Sequence, residues 1–388
     1  MNYEDTLKPS PYYNDTHDEW RRQVRRFVQK EIEPHVNEWD TEDQYLPREL
    51  FLKAGELGLF GMGYPEEYGG LGNEFDIFHD LIVLEELHRP GSGATGSALL
   101  VHKGGLPPVN ALGSHELKQK VLPEVLSGRA QISVAITEPG AGSDVANLQL
   151  KAVREGDVWV LNGSKIYCTG GMTSRFITTV ARTGGSGKSG LSLFLVESDT
   201  PGLTRTPLKK MGFWASDTAM LFFDQVRVPA TDMIGEEGQG FRGMMINLNS
   251  ERLNLAITAN TLARVCFVDA ANYARERHTF GKPLAEHQVI RHKFAEMARH
   301  INATQAYIEQ NAWRVQNGEQ IAADAALCKV QATKTLELCA REAAQVLGGA
   351  SVIRGNNVER IYREARILAI AGGSEEILRD LAVRQMGI

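Results

Sequence analysis

A run of about thirty residues, 244–274, contains neither proline nor glycine and is long for a helix in a globular protein. Two similar runs follow, from about 285 to 316 and from about 319 to 347. Long helices of similar length bury their apolar faces by packing side by side, often in an up-and-down arrangement. Residues 240–388 are therefore predicted to form a C-terminal helical bundle, of four helices when the final segment is included.

The N-terminal third of the chain also has a helical pattern. Apolar residues recur at helical spacing between arginines and glutamates, at Trp20, Val24, Phe27, Val28 and Ile32. A second amphipathic run covers residues 47–59, and further helical runs begin near residue 76 and after Gly96. These runs predict an N-terminal helical domain over residues 1–130.

Between the two helical regions the pattern changes to short alternating runs separated by clusters of Gly, Ser, Asn and Asp. The clearest runs are 159–161, 176–181, 191–196 and 220–228. They predict a β domain over residues 131–239, so the fold class is α+β with three domains.

Composition excludes several classes of protein. The net charge of −6 and the absence of a Lys/Arg cluster argue against nucleic-acid binding. No apolar run reaches membrane-spanning length, so no membrane insertion is expected. The four cysteines lack metal-ligand spacing, and the histidines at 88, 102 and 115 have no second ligand four residues on, so we predict no metal site. The acidic N-terminus without an apolar stretch favours a cytoplasmic location.

One stretch, Ala135–Asp144, has the composition of a ligand-binding loop. An apolar run ends at Ile136 and is followed by Thr-Glu-Pro-Gly-Ala-Gly-Ser-Asp. This pattern predicts a strand that opens into a loop whose backbone can approach a flat or anionic ligand closely. Thr137 and Ser143 would then supply donors to a cofactor ring and its pyrophosphate. On chemistry alone, a glycine-rich turn is more often just a turn.

The ten residues of this stretch closely resemble the flavin-loop signature of the acyl-CoA dehydrogenase family. Further motifs resemble those of the family in the same order, namely 163–171, 273–288, 345–349 and 362–366. The resemblance covers about residues 15–388. It implies a helical N-terminal domain, a middle β-barrel or sandwich and a C-terminal four-helix bundle. It also implies bound FAD, whereas a nicotinamide cofactor is not expected because no Gly-x-Gly-x-x-Gly fingerprint is present.

The resemblance assigns the FAD contacts to two groups of residues. The first comprises Val134, Ile136, Thr137, Gly142, Ser143, Tyr167, Cys168, Thr169, Ser374 and Glu376. Thr169 would hydrogen-bond the N5 edge of the flavin and Tyr167 would stack near the ring, although the family usually has Trp-Ile-Thr-Asn at 167–170. The second group would reach the FAD of a neighbouring subunit and comprises Arg277, Phe280, Gln288, Gln345, Gly348 and Gly349. A homotetramer, as a dimer of dimers, is therefore expected.

The family places its catalytic glutamate at one of two positions. The commoner position is the third residue of Ile-Tyr-Glu-Gly-Thr, which here reads Ile-Ala-Gly-Gly-Ser and puts Gly372 at the glutamate position. The other is a Glu directly before an Arg on the first long C-terminal helix, where this chain has Glu251 and Arg252. We therefore predict Glu251 as the base and the backbone N–H of Gly372 as a donor to the thioester oxygen. Glu375 and Glu376 are rival carboxylates that helix capping explains adequately.

The resemblance implies dehydrogenation of an acyl-CoA thioester to a trans-2-enoyl-CoA, with electrons passed to an electron-transferring flavoprotein. Substrate contacts are assigned to Ser143, Arg252, Ala371 and Gly373. The small residues Ala371 and Gly372 are expected to open volume for a branched or a medium-to-long acyl chain, and residues near 90–105 to set the pocket depth. Two alternatives stay open: a flavin oxidase or monooxygenase that reacts with dioxygen, and an acyl-CoA-binding protein without catalysis.

Overall fold

The computed structural model describes residues 1–41, 44–72 and 74–388, apart from the side chains of residues 247–249. Its N-terminal part is helical, as predicted. The helices are α1 (Asp15–Glu31), α2 (Val36–Trp39), α3 (Arg48–Glu56), α4 (Ile77–His88), α5 (Gly93–Leu99), α6 (His102–Leu112) and α7 (His115–Leu126).

Two N-terminal caps join α1 to α4. The side chains of Asn14 and Asp76 each accept N–H bonds from the first turn of the helix that follows. The third helical residues, His17 and His79, close both capping boxes, and His17 Nε2 lies 3.0 Å from Asp76 Oδ1. His17, Asp76 and His79 are the described residues whose ligand atoms lie close enough to hold a metal ion. Because those atoms serve the caps, we assign them a structural role.

The middle part forms one eight-stranded sheet, with strand order β6-β7-β3-β2-β4-β5-β8 and β1 paired in parallel with β4. The strands are β1 (Ile132–Ala135), β2 (Lys151–Glu155), β3 (Val158–Thr169), β4 (Phe176–Arg182), β5 (Leu191–Glu197), β6 (Leu203–Pro207), β7 (Thr218–Pro229) and β8 (Met233–Ile234). The sheet has its own apolar core, in which Trp159 packs edge-on against Phe194.

The C-terminal part is helical again. Its elements are α8 (Gly240–Glu276), a short hairpin of β9 (His278–Thr279) and β10 (Lys282–Pro283), α9 (Gln288–Gln316), α10 (Ala322–Leu347), α11 (Asn357–Ile370) and α12 (Glu375–Gln385). Helices α8, α9, α10 and α11 pack together as the predicted bundle, and α12 packs on α10. None of the described helices combines the length and the apolarity needed to cross a bilayer.

The long helix α8 is central to the packing because helices from both ends of the chain contact it. Helices α4 and α6 pack against α8, and one large apolar core extends from the N-terminal helices into the bundle. Helix α6 also contacts β1, and Thr178 of β4 donates a 2.7 Å hydrogen bond to the carbonyl of Gly105 on α6. The strand that leads into the 136–144 loop is thereby held between helix and sheet.

Candidate active site

Glu251 lies near the start of α8, with its side chain half-buried. Burial raises the pKa of this carboxyl, although the charges of Arg252 and Lys329 act in the opposite direction. No described side chain donates a hydrogen bond to Glu251, so the carboxylate is available to take a proton. A carboxylate with a raised pKa and no committed partner is suited to general base catalysis.

The loop between α11 and α12 faces this part of α8. Gly372 and Gly373 have φ angles of +68° and +108°, which other residues adopt only under strain. A Cβ at Gly372 would lie 2.4 Å from Cδ1 of Leu255, one helical turn beyond Glu251. The side-chain position of residue 372 therefore points at α8, and Leu255 already occupies the space. Within the described part of the chain, the N–H of Gly372 has no hydrogen-bond acceptor.

The rival carboxylates are less suited to act as a base. Glu375 is buried and pairs with Lys334 at 3.1 Å and Arg379 at 2.9 Å. Glu376 is exposed, and hydrogen bonds from its own backbone N–H and from Ser374 lower its pKa. One carboxylate is committed to ion pairs, and the other is a weaker base in water.

The assigned substrate contacts lie at two places. Arg252 is buried beside Glu251, and its burial lowers the pKa of the guanidinium. Ala371 is exposed and Gly373 half-buried, both in the loop that faces α8. Ser143 is exposed at the tip of the 136–144 loop.

A buried ion pair holds the 136–144 loop in shape. Lys165 of β3 donates to the carbonyl of Ile136 at 2.7 Å and to the carboxylate of Glu138 at 2.8 Å. Glu138 also accepts bonds from the backbone N–H groups of Gln149 and Leu150. Burial lowers the pKa of Lys165 to about 8, against the attraction of Glu138.

This ion pair leaves one face of the loop open. Val134, Ile136 and Thr137 are half-buried, and Gly142 is exposed next to Ser143. An exposed, glycine-containing turn at the end of a rigid strand fits a cofactor that needs close backbone approach.

Of the three FAD contacts predicted at the end of β3, two have side chains exposed on the surface. Tyr167 has a φ of +62° and is 66% exposed, an unusual combination for an aromatic residue that points to a functional surface. Thr169 is also exposed. The side chain of Cys168 instead faces the sheet interior near Ser133, and burial raises its pKa to about 12. Only the backbone of Cys168 is therefore available to a cofactor.

The second group of predicted FAD residues lies at the other end of the bundle. With a rise of 1.5 Å per residue, residue 277 lies about 39 Å along α8 from residue 251. Within one chain, this second group therefore lies far from Glu251. The group is exposed throughout, at Arg277, Phe280, Gln288, Gln345, Gly348 and Gly349. Phe280 is 97% exposed with a φ of +50°, which suits a residue that reaches into another subunit.

Comparison with known proteins identifies the family to which this architecture belongs. Sequence models described as the N-terminal, middle and C-terminal domains of acyl-CoA dehydrogenase match residues 14–129, 133–226 and 238–387. The chain belongs to the acyl-CoA dehydrogenase family. The mouse (Mus musculus) long-chain specific acyl-CoA dehydrogenase is 35% identical over 379 residues, which are 96% of this chain and 87% of that protein. The family resemblance and the α+β fold class are thereby confirmed, and the chain is an oxidoreductase.

Two solved structures of acyl-CoA dehydrogenases share the whole fold. The enzyme from Geobacillus kaustophilus superposes with a TM-score of 0.93 at 34% identity, covering 98% of this chain and 100% of that chain. The butyryl-CoA dehydrogenase of Megasphaera elsdenii superposes with a TM-score of 0.92 at 30% identity, with the same coverage of both chains. The domain boundaries and the roles of individual residues stay predictions.

The sequence analysis missed two buried lysines that contact predicted site segments: Lys165 at the 136–144 loop and Lys329 at the loop that carries Gly372. In the sequence, Lys165 stands out only as a member of the 163–171 motif. Its partner Glu138 stands out only as a member of the stretch Ala135–Asp144. Lys329 lies on the buried face of α10, in line with Ala325, Ala332 and Leu336. A lysine at a position where helical periodicity requires an apolar residue was the available signal.

Proposed function

We propose that this protein is an FAD-dependent acyl-CoA dehydrogenase in which Glu251 removes the α-proton of the acyl thioester. The observation that carries the proposal is that two suitable groups lie on facing elements, α8 and the loop between α11 and α12. Glu251 has a raised pKa and no hydrogen-bond donor among the described side chains, and the facing loop offers the unbonded N–H of Gly372. A base and an oxyanion donor are the two groups that enolate formation from a thioester requires.

In the proposed reaction, the carboxylate of Glu251 accepts the pro-R proton from the α-carbon. The N–H of Gly372 donates to the thioester oxygen, where negative charge develops as that proton leaves. FAD, when bound, would supply the acceptor for the hydride that leaves the β-carbon, and the product is a trans-2-enoyl-CoA. The buried Arg252 stabilises the ionised form of Glu251, which opposes the rise in pKa that burial causes.

The 136–144 loop and the end of β3 fit FAD. The loop tip at Gly142 and Ser143, the strained Tyr167 and the exposed Thr169 offer backbone donors, an aromatic face and a hydroxyl on the surface of the middle domain. Arg277, Phe280 and the other residues at the far end of the bundle would contact the FAD of a partner subunit. Because the FAD contacts are divided between two subunits, an oligomer is favoured. We propose the homotetramer that the family resemblance implies.

For the substrate we propose a branched or a medium-to-long acyl-CoA. The long-chain specificity in the name of the mouse relative supports this choice. The open volume that the sequence predicts beside Gly372 gives this choice no support, because the side chain of Leu255 fills that space. The glycines of α5 also serve packing, since a Cβ at Gly96 would lie 2.4 Å from Nε2 of His88. A clear preference for butyryl-CoA over longer and branched thioesters would overturn this part of the proposal.

The deciding experiment is anaerobic bleaching of the oxidised-flavin absorbance by a panel of acyl-CoAs. We expect wild type to bleach and Glu251→Gln to retain FAD without bleaching, whereas Glu56→Gln, a matched change at an exposed carboxylate of α3, bleaches as wild type does. Equal bleaching of wild type and Glu251→Gln would refute the assignment of the base.

Electrons are proposed to pass from the enzyme to an electron-transferring flavoprotein. Aerobic turnover measures the alternative, since an oxidase reduces dioxygen to hydrogen peroxide. Stoichiometric peroxide together with no reduction of an electron-transferring flavoprotein would replace the dehydrogenase assignment by the oxidase one.

A further inference from the structure

Lys329 is a fully buried lysine on α10 whose ammonium contacts the active-site loop. Its Nζ donates hydrogen bonds to the carbonyls of Ala369 at 3.0 Å and Gly373 at 2.9 Å. Ala369 lies in the last turn of α11, where carbonyls have no partner within the helix. The two carbonyls bracket residues 370–372, so one side chain holds both ends of the segment that carries Gly372.

The charges that face Lys329 come from three other elements. Glu251 and Arg252 belong to α8, Glu375 begins α12 and Arg366 lies on α11. Burial lowers the pKa of Lys329 to about 8, while the attraction of Glu375 and Glu251 acts in the opposite direction. The lysine is therefore mostly protonated near neutral pH, and its charge favours the ionised form of Glu251.

Joining two helices through a buried ammonium group carries a large desolvation free energy. Desolvation of a charge costs more than an apolar contact of the same size provides, unless hydrogen bonds and opposite charges compensate. At Lys329 the compensation comes from the carbonyls of Ala369 and Gly373, from Glu375 and from Glu251, the carboxylate assigned as the base. The buried charge therefore joins α10 to the end of α11, to the Gly372 loop and to the proposed base.

We propose that Lys329 is a positioning residue of the active site: it holds the Gly372 loop through two carbonyls and places a positive charge beside Glu251. The inference rests on the proposed function of Glu251 and Gly372. Removal of the side chain would let the N–H of Gly372 move relative to the thioester oxygen. It would also leave Glu251 with Arg252 as its remaining cationic neighbour among the groups that act on it.

The loop part of the proposal is tested by amide hydrogen exchange in the FAD-loaded enzyme without substrate. We compare Lys329→Met with Lys334→Met, which removes a half-exposed lysine of the same helix that pairs with Glu375. Exchange of the peptide that contains residues 369–374 should be about tenfold faster in Lys329→Met and unchanged in Lys334→Met. Unchanged exchange in Lys329→Met would overturn the loop role.

The charge part is tested by the pH profile of single-turnover flavin bleaching. Lys329→Met should lower the maximal rate by about 100-fold, since small displacements of catalytic groups have effects of this size. Its acid limb should also move to higher pH, because Glu251 loses a stabilising cation, whereas Lys329→Arg should keep the limb in place. A lower rate with an unmoved acid limb would reduce Lys329 to a structural residue and overturn the proposal.

If Lys329→Met does not accumulate in folded form, Lys329→Ala carries both readouts, because alanine is a good helix former and lacks both the donor and the charge. The failure of the wider proposal has a different signature. If none of the acyl-CoAs bleaches the flavin of the wild-type enzyme, the proposed function fails. The exchange experiment would still report whether Lys329 holds the loop.

Discussion

Replacement of Gly372 by alanine tests the constraint that the structure places on the active-site loop. The added Cβ would lie 2.4 Å from Cδ1 of Leu255, so the leucine must rotate. An off-rotamer side chain costs roughly 0.5–1.5 kcal/mol. An alanine at the φ of +68° costs about 1–2 kcal/mol more. The reduced entropy of the unfolded chain offsets roughly 0.4–1 kcal/mol.

The net expectation is a loss of about 0.5–3 kcal/mol in unfolding free energy. For a chain of 388 residues, the entropy of unfolding converts this loss into a fall of about 1–4 °C in the thermal midpoint. Activity should fall further than stability, because the N–H of residue 372 is the proposed donor to the thioester oxygen. We expect kcat/KM to drop about tenfold or more, with FAD still bound.

The assay is a double-mutant cycle with Leu255→Ala, read by thermal unfolding and by flavin bleaching. Leu255→Ala removes the colliding methyl group, so Gly372→Ala should cost about 0.5–1.5 kcal/mol less in that background. The part due to the backbone angle should remain. Equal effects of Gly372→Ala in both backgrounds would refute the inferred contact, and no effect in either would refute the constraint on the loop.

Three further predictions concern other parts of the enzyme. Burial raises the pKa of Glu364, which accepts a 2.7 Å bond from the N–H of Gly93, from its ordinary value of 4.5 to about 7. The folded state therefore binds more protons than the unfolded state between these values, and stability falls as pH rises through this range. Glu364→Gln should not lose stability in this way, so its thermal midpoint relative to that of wild type should rise between about pH 5 and pH 8. A difference in midpoint that stays constant with pH would contradict the raised pKa of Glu364. Lys165→Met leaves Glu138 buried without its cation and should cost about 3–5 kcal/mol with loss of bound FAD, measured by thermal unfolding and flavin content; full FAD content would argue against the role of this pair. Phe280→Ser should leave the subunit fold intact, by circular dichroism, but lower FAD content and oligomer mass, because the side chain is 97% exposed in the single chain; an unchanged mass and FAD content would remove Phe280 from the subunit interface.

Much of this protein was accessible from local patterns. Helical and strand periodicity predicted the α+β architecture because each element must present an apolar face to a core. The Glu251 hypothesis followed from the glycine at position 372, through the family resemblance. That choice needed only the identity of residues along the chain.

The tertiary structure alone decided which groups meet. It showed that Leu255 fills the space beside Gly372, that Lys329 contacts the loop from another helix, and that Glu138 of the 136–144 loop pairs with Lys165 of β3. Sequence periodicity describes which face of an element is buried, but it carries no information on which distant residue lies opposite. Contacts between residues far apart in the chain arise from the packing of whole elements, so the charges and donors around the proposed base became visible only in the folded protein.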